Sequence, residues 1–358
     1  MSLSVRRSVV MLAVSAISLG GVAACGANEA ESGGGDGDSA GGKKIALLLP
    51  ESQTTRYESF DKPLFEAKVA ELCEDCEVLY YNADQDAGTQ QQQVETAITE
   101  DVDVMVLDPV DGKAAANLVR TSQEADIPVI AYDRFIEGAD YYMSFDNETV
   151  GELQAQALVD AVGPAGGNIL MLNGAPTDPN AAQFKAGAHN VIDASDLTIV
   201  AEYDNPDWSP ENAQQFVTDQ LASIDPSTLV GVYAANDGQA GGVIAALTGA
   251  GITTVPPVTG QDAELAAIQR ILAGQQHMTV YKPIAIEAET AAEVAVNIVN
   301  GEEVGETTDF EGVASFIFDP IVVTAENVAD TVVADEFYAV EDICTDDYAD
   351  ACATAGVA

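Results

Sequence analysis

From residue 43 onward, short runs of β-branched and aliphatic residues alternate with longer stretches whose apolar positions recur every three or four residues. A short apolar run bounded by turn residues reads as a buried strand, and the longer period reads as an amphipathic helix. The pattern predicts strands over 45–49, 78–81, 102–107 and 128–132, with helices over 60–72, 90–99 and 114–125 between them. A second series follows the segment 141–145. It predicts strands over 169–172, 197–202, 229–234, 258–259 and 278–281, and helices over 150–162, 181–192, 213–222, 240–247 and 264–272. Such alternation implies the α/β class, with parallel sheets covered by helices on both faces. Two series in tandem, with no Pro-rich or Ser-rich linker, predict two lobes about a cleft, joined by short crossovers that act as a hinge. A length of 358 residues accommodates two such domains.

The N-terminus departs from this pattern. Arg6 and Arg7 precede an apolar run from Val9 to Leu19, and small residues lead to Val22-Ala23-Ala24-Cys25. That is the layout of an export signal. Its ending resembles the lipobox of bacterial lipoproteins, in which cleavage leaves a lipidated cysteine as the first residue. Residues 1–24 then read as a lipoprotein signal peptide and Cys25 as the lipid attachment, which predicts an extracytoplasmic protein held by lipid at the outer face of the cell membrane, or a periplasmic one. An ordinary secretory signal with an incidental cysteine is the alternative. Residues 25–42, rich in Gly, Ser, Asp and Glu, lack the apolar surface to fold and read as a flexible linker. Past the N-terminus no stretch reaches the roughly 18 uncharged apolar residues of a membrane span.

Four further cysteines would meet an oxidising compartment, and the sequence-local pairings are Cys73 with Cys76 and Cys344 with Cys352. Zinc competes for Cys73-Glu74-Asp75-Cys76. The only histidines are His189 and His277, neither near a cysteine, so no metal is expected. Lys and Arg number 13 against 59 Asp and Glu, a formal net charge of −46. That field repels phosphate backbones, which argues against a nucleic-acid partner, but it names no ligand.

In open α/β sheets, ligands gather beyond the carboxyl ends of the strands. Here the first predicted strand leads to Arg56 and Tyr57, the third to Asp108, and the fourth to Asp133 and Arg134. The second series adds Asp178, Asn180, Asn236, Asp237, Asp262 and Lys282, and the single tryptophan, Trp208, sits in the loop 205–210. Asp and Asn favour turns in any case, so any one of them carries little; their recurrence after several strands carries more. Carboxylates, amides and guanidinium groups offer paired donors or acceptors that match vicinal hydroxyls, and an indole can cover the C–H face of a pyranose. The set suits a carbohydrate. Enzyme signals are weak: there is no Gly-x-Ser-x-Gly elbow, no Gly-x-Gly-x-x-Gly after the first strand and no Walker loop. Glycoside hydrolysis by paired carboxylates is the enzyme alternative, and in so acidic a chain any such pair is uninformative. A sensor subunit presenting bound sugar to a membrane receptor would use the same fold.

The segments Ala131-Tyr132-Asp133-Arg134, Ser144-Phe145-Asp146-Asn147-Glu148, Gly151-Glu152-Leu153-Gln154-Ala155, Asn236-Asp237, Gly260-Gln261-Asp262-Ala263 and Thr279-Val280-Tyr281-Lys282-Pro283 closely resemble bacterial xylose-binding proteins, type I periplasmic binding proteins that serve ABC importers. The likeness runs from about residue 44 to about 338. It implies two Rossmann-like lobes joined by three crossovers and closing on one sugar. By it, the N-terminal lobe comprises 43–147 with 283–312, the C-terminal lobe 148–282 with 313–343, and 344–358 is a tail outside the resemblance. It also implies sugar contacts at Arg56, Asp133, Arg134, Asp178, Asn180, Asn236, Asp262 and Lys282, with stacking at Trp208. Tyr57 stands where the family has a tryptophan, which bears on the choice between xylose and a hexose such as glucose. The implied function is capture of D-xylose, or glucose or another aldose, by a monomer that delivers it to ABC permease subunits, with no cofactor and no catalysis.

Overall fold

In the computed structural model, which describes residues 42–357, the first apolar run forms β1 (Lys43–Leu49). Residues 45–49 are at most 1% exposed, because β1 lies inside a sheet covered on both faces. The signal peptide, Cys25 and the linker as far as residue 41 lie outside the described residues. β1 pairs in parallel with β2 (Cys76–Asn82) and with β3 (Val104–Leu107), and β4 (Val129–Tyr132) and β5 (Tyr141–Phe145) extend the sheet beyond β3. Helices α1 (Lys62–Leu72), α2 (Ala87–Thr99) and α3 (Gly112–Gln123) connect the strands, so the carboxyl ends of β1, β3 and β4 share one edge.

After β5, α4 (Asn147–Val162) opens the second lobe. There β6 (Gly167–Asn173) runs between β7 (Leu197–Asp204) and β8 (Leu229–Ala234), all parallel, with α5 (Pro179–Ile192), α6 (Pro210–Leu221) and α7 (Asp237–Gly249) as connections. The strand expected over 258–259 is not a regular element. Two prolines precede it, and the left-handed backbone of Asp262 (φ 87°) ends it. The segment still bonds on both sides, with Thr259 N donating to Val232 O (3.1 Å) and Val280 N to Gly260 O (2.9 Å). α8 (Leu265–Leu272) and β9 (Thr279–Tyr281) follow, and α9 (Ile284–Asn300) then returns to the first lobe and packs on α1.

The expected exchange point at residue 312 falls early. β10 (Thr308–Phe310) and β11 (Val313–Phe318) form a hairpin, and β11 pairs in parallel with β5, which keeps residues 313–318 in the first lobe. Without it the outer edge of β5 would carry unpaired backbone groups. β12 (Ile321–Val323) then pairs with β9 in the second lobe. The chain thus changes lobes near Asp146, Pro283 and Asp319, and Asp146 N donates to Phe318 O at 3.0 Å, tying two of these passages together.

The segment expected as a separate tail is packed. α10 (Val340–Ile343) and α11 (Ala349–Ala355) lie against α8, and Ile343, Cys352 and Val357 bury into one cluster with Ala263 and Ile268. Both cysteine pairs sit at disulfide distance, with Cα separations of 5.3 Å for Cys73 and Cys76 and 5.8 Å for Cys344 and Cys352. Among the described residues no helix is long and apolar enough to cross a membrane.

Helices α4 and α5 carry the start of the second lobe and approach through two glycines. A Cβ at Gly187 would lie 2.0 Å from the carbonyl oxygen of Glu148, and one at Gly151 would lie 2.0 Å from that of Phe184. Gly187→Ala should therefore force the pair apart at a cost of about 1–3 kcal/mol. The expected outcome is a lower midpoint of thermal unfolding by circular dichroism; an unchanged midpoint would mean the helices separate freely.

Candidate functional site

Turn chemistry is at work at the strand ends. Asp178 Oδ1 accepts from Asn180 N at 2.8 Å and Asn236 Oδ1 from Gln239 N at 3.0 Å, capping α5 and α7. Asp178 nevertheless has a second face. Its Oδ2 accepts from Trp208 Nε1 at 3.2 Å and lies 3.0 Å from Arg134 Nε, so one carboxylate both starts a helix and orients an indole and a guanidinium.

These groups surround a small cavity of about 20 Å³ between the lobes. Thr54, Asp133 and Arg134 reach it from the first lobe, and Lys282 from the end of β9 at the hinge. The second lobe contributes Asp178, Asn180, Phe184, Trp208, Asn236, Gln261 and Asp262. All are buried. The lobes also touch directly here, with Asn180 Nδ2 donating to Asp133 O at 3.0 Å and Gly112 N to Thr177 O at 3.1 Å. Eight of the ten expected ligand-binding residues thus line one cavity. Thr54, Phe184 and Gln261 were not among them: Gln261 and Thr54 are loop neighbours of named residues, and Phe184 sits in an apolar helical pattern indistinguishable from core.

Arg56 and Tyr57, expected as contacts, stand one layer back. Asp61 takes Arg56 Nε at 3.0 Å and Nη2 at 2.5 Å, Asp133 takes Nη1 at 3.1 Å, and Glu287 takes Nη2 at 2.6 Å. With carboxylates on three sides, the guanidinium points at them rather than at the cavity. Tyr57 donates its hydroxyl to Asp133 Oδ2 at 3.0 Å and accepts from Arg134 Nη2 at 3.2 Å, so both residues hold the cavity wall from behind.

Backbone conformation aims the wall. Asp133 (φ 55°), Trp208 (φ 61°) and Asp262 (φ 87°) all occupy the left-handed region, costing about 1–3 kcal/mol each. Electrostatics sorts the carboxyls. Burial works against the charge of Asp133, but Arg56, then Lys282 and Arg134, hold it below the usual carboxylate range. For Asp178 burial outweighs Arg134 and the carboxyl is raised. Asp108, fully buried 3.5 Å from Arg134 Nε, is raised well above its ordinary value by burial. Glu264, beside Asp262, is raised to about 7, again by burial first. Asp237, also flagged by its place after a strand, lies outside the wall and accepts from Thr279 Oγ1 at 2.8 Å and Gln276 Nε2 at 2.6 Å. His189 contacts Asp193 and Glu202 on the second lobe's surface, away from the cavity. Among the described residues no group of three His, Cys, Asp or Glu is placed to hold a metal ion.

A periplasmic binding protein domain matches residues 45–303. The chain is 40% identical over 305 residues, 82% of its own length and 91% of the relative's, to the D-xylose-binding periplasmic protein of Escherichia coli (strain K12). It is 32% identical over 287 residues to a multiple sugar-binding periplasmic receptor of Rhizobium radiobacter, covering 71% of this chain and 80% of the relative. Among solved structures, a carbohydrate transporter solute-binding protein of Chloroflexus aurantiacus in complex with D-glucose superposes with a TM-score of 0.77 at 26% identity, covering 84% of this chain and 98% of that one.

Gly174 makes room for the indole, since a Cβ there would lie 2.0 Å from Trp208 Cη2 and Cζ2. Gly174→Ala should displace the ring and break its bond to Asp178. Trp208 is the only tryptophan, so its fluorescence emission should shift in the variant; an identical spectrum would show the ring undisturbed.

Proposed function

The chain belongs to the periplasmic binding protein domain family, and on that premise we propose that it captures one uncharged monosaccharide, D-xylose foremost, outside the cytoplasm and presents it to the permease of an ABC importer. The observation that carries the reading is the pairing of charge in the cavity wall. Arg134 lies 3.0 Å from Asp178 and Lys282 Nζ 2.8 Å from Asp262 Oδ1, and behind the wall Arg56 lies 3.1 Å from Asp133. A wall whose cations are already neutralised has no call for an ionic ligand. It offers hydrogen bonds in both directions, and two aromatic side chains, Trp208 and Phe184, supply an apolar face. That is the demand of a neutral polyol.

Asp133, Asp178 and Asp262 would accept from hydroxyls, while Arg134, Lys282, Asn180 and Asn236 would donate. Arg56 and Tyr57 would fix Asp133 and Arg134. Because contacts come from both lobes, a sugar stabilises the closed form, whose shape the permease would recognise. Cys25 would carry a lipid that keeps a monomeric binder near its transporter, with residues 25–42 as the tether. The role is binding without turnover. D-glucose, the ligand of the Chloroflexus aurantiacus neighbour, is the second candidate, and it differs from xylose by one hydroxymethyl group.

Titration with D-xylose, followed by calorimetry and by Trp208 fluorescence, should show saturable 1:1 binding, with D-glucose as the comparison. Asp262→Ala leaves Lys282 buried without its carboxylate and should cost about 1–3 kcal/mol, roughly 5- to 150-fold in affinity. Unchanged affinity would remove Asp262 from the site. Release of product from an aryl xyloside during long incubation would instead favour the hydrolase.

A further inference from the structure

Glu287 lies in the first turn of α9, just after the chain re-enters the first lobe, and is fully buried. Its Oε2 is 2.6 Å from Arg56 Nη2. Asp61, Asp133 and Glu287 therefore share one guanidinium, and of the three only Asp133 lines the cavity. Three ionised carboxylates around one cation would leave excess negative charge in a dry interior, which is costly. The donors are unequally divided. Asp61 also accepts from the Tyr132 hydroxyl and Asp133 from that of Tyr57, whereas Glu287 Oε1 has no hydrogen-bond partner among the described residues. The carboxyl with the fewest donors is the one that keeps a proton.

We propose that Glu287 is a positioning residue of the sugar site: without touching the ligand, it holds Arg56 against Asp133 as a neutral acid, and so sets the pH range over which sugar binds. The proposal rests on the sugar-binding reading above. Glu287 is faced by Arg56 and Asp61 from the turn after β1, by Tyr132 and Asp133 from the end of β4, by Tyr142 from β5, and by Lys282 from the end of β9. Burial raises its carboxyl most; Arg56 and Lys282 pull it down, Asp133 and Asp61 push it up, and it settles at about 8.

The sign of the coupling follows. A neutral sugar displaces water beside Asp133 and lowers the dielectric around the cluster, which raises Glu287 further. The bound form then holds more protons than the free form, so affinity is highest below pH 8 and falls as pH rises through it. Ionised Glu287 also competes with Asp133 for the guanidinium and places a second negative charge beside it.

Glu287→Gln keeps the shape and a neutral acceptor for Arg56 at every pH. Calorimetry with D-xylose at pH 6, 7, 8 and 9 should show native affinity falling about 5- to 10-fold between pH 7 and 9. The variant should stay within about twofold of native at pH 7 and lose that fall. Measured in two buffers of different ionisation heat, native protein should take up protons on binding at pH 8. Parallel pH profiles for native and variant would overturn the proposal. So would the absence of proton uptake by the native protein, a result that stands even if the variant fails to fold. If native protein bound D-xylose with a flat profile, this inference alone would fall; if it bound no aldose at any pH, the sugar-binding reading would fall with it.

Discussion

Arg134 and Asp178 face each other from opposite lobes at 3.0 Å, and the pair joins the two walls of the cavity. Closing takes both charges out of water, which costs several kcal/mol per ion unless the pair and its further hydrogen bonds return it. The further bonds are present. Arg134 donates to Pro109 O and to the Tyr57 hydroxyl, each at 3.2 Å, and Asp178 is held by the α5 cap and the Trp208 indole. Such a pair fixes geometry more than it adds stability. On the sugar-binding reading, the ligand's hydroxyls supply what the ion pair alone does not, and a trap that closes firmly only when filled is the result.

Strained backbone and one glycine aim the rest of the wall. The left-handed turns at Asp133 and Asp262 place two carboxylates on the cavity from opposite lobes, and the turn at Trp208 lays the indole over Gly174, where any side chain would collide with it. A second lobe contact lies outside the cavity. Phe60, in the turn that follows Arg56 and Tyr57, stacks on Phe337 of the C-terminal segment with ring centroids 4.1 Å apart, and Tyr338 meets it edge-on at 5.5 Å. The turn that buttresses Asp133 is thereby seated against the opposite lobe as well as against its own.

Local pattern made the strands legible, because β3, β4 and residues 45–49 of β1 are continuous apolar runs bounded by polar or turn residues. It could not assign β11 to a lobe, since that depends on pairing with β5, more than 160 residues earlier. The position of Asp133, Asn236 and Asp262 after strands was enough to find the cavity. The same rule reached the neighbourhood of Arg56 without showing which way its guanidinium turns. That is decided by Asp61 and by Glu287, 231 residues away on a helix whose apolar face hides the carboxyl in sequence. The Cys344 and Cys352 segment was equally opaque, because its packing on α8 rests on Ile343, Cys352 and Val357, scattered along the chain with no regular apolar period.

The acidity of the chain acquires a meaning only beside the cavity. Three of its 13 basic residues, Arg56, Arg134 and Lys282, are buried in and behind the wall, each against a carboxylate. The rest of the molecule carries a large surplus of Asp and Glu, whose field opposes the approach of sugar phosphates and sugar acids from a distance while leaving neutral sugars indifferent. At short range the paired cations refuse the same ligands, since a phosphate could bind Arg134 only by displacing Asp178 and leaving that carboxylate buried and unpaired. Long-range field and local pairing therefore select in the same direction, and neither requires a residue devoted to rejecting anions.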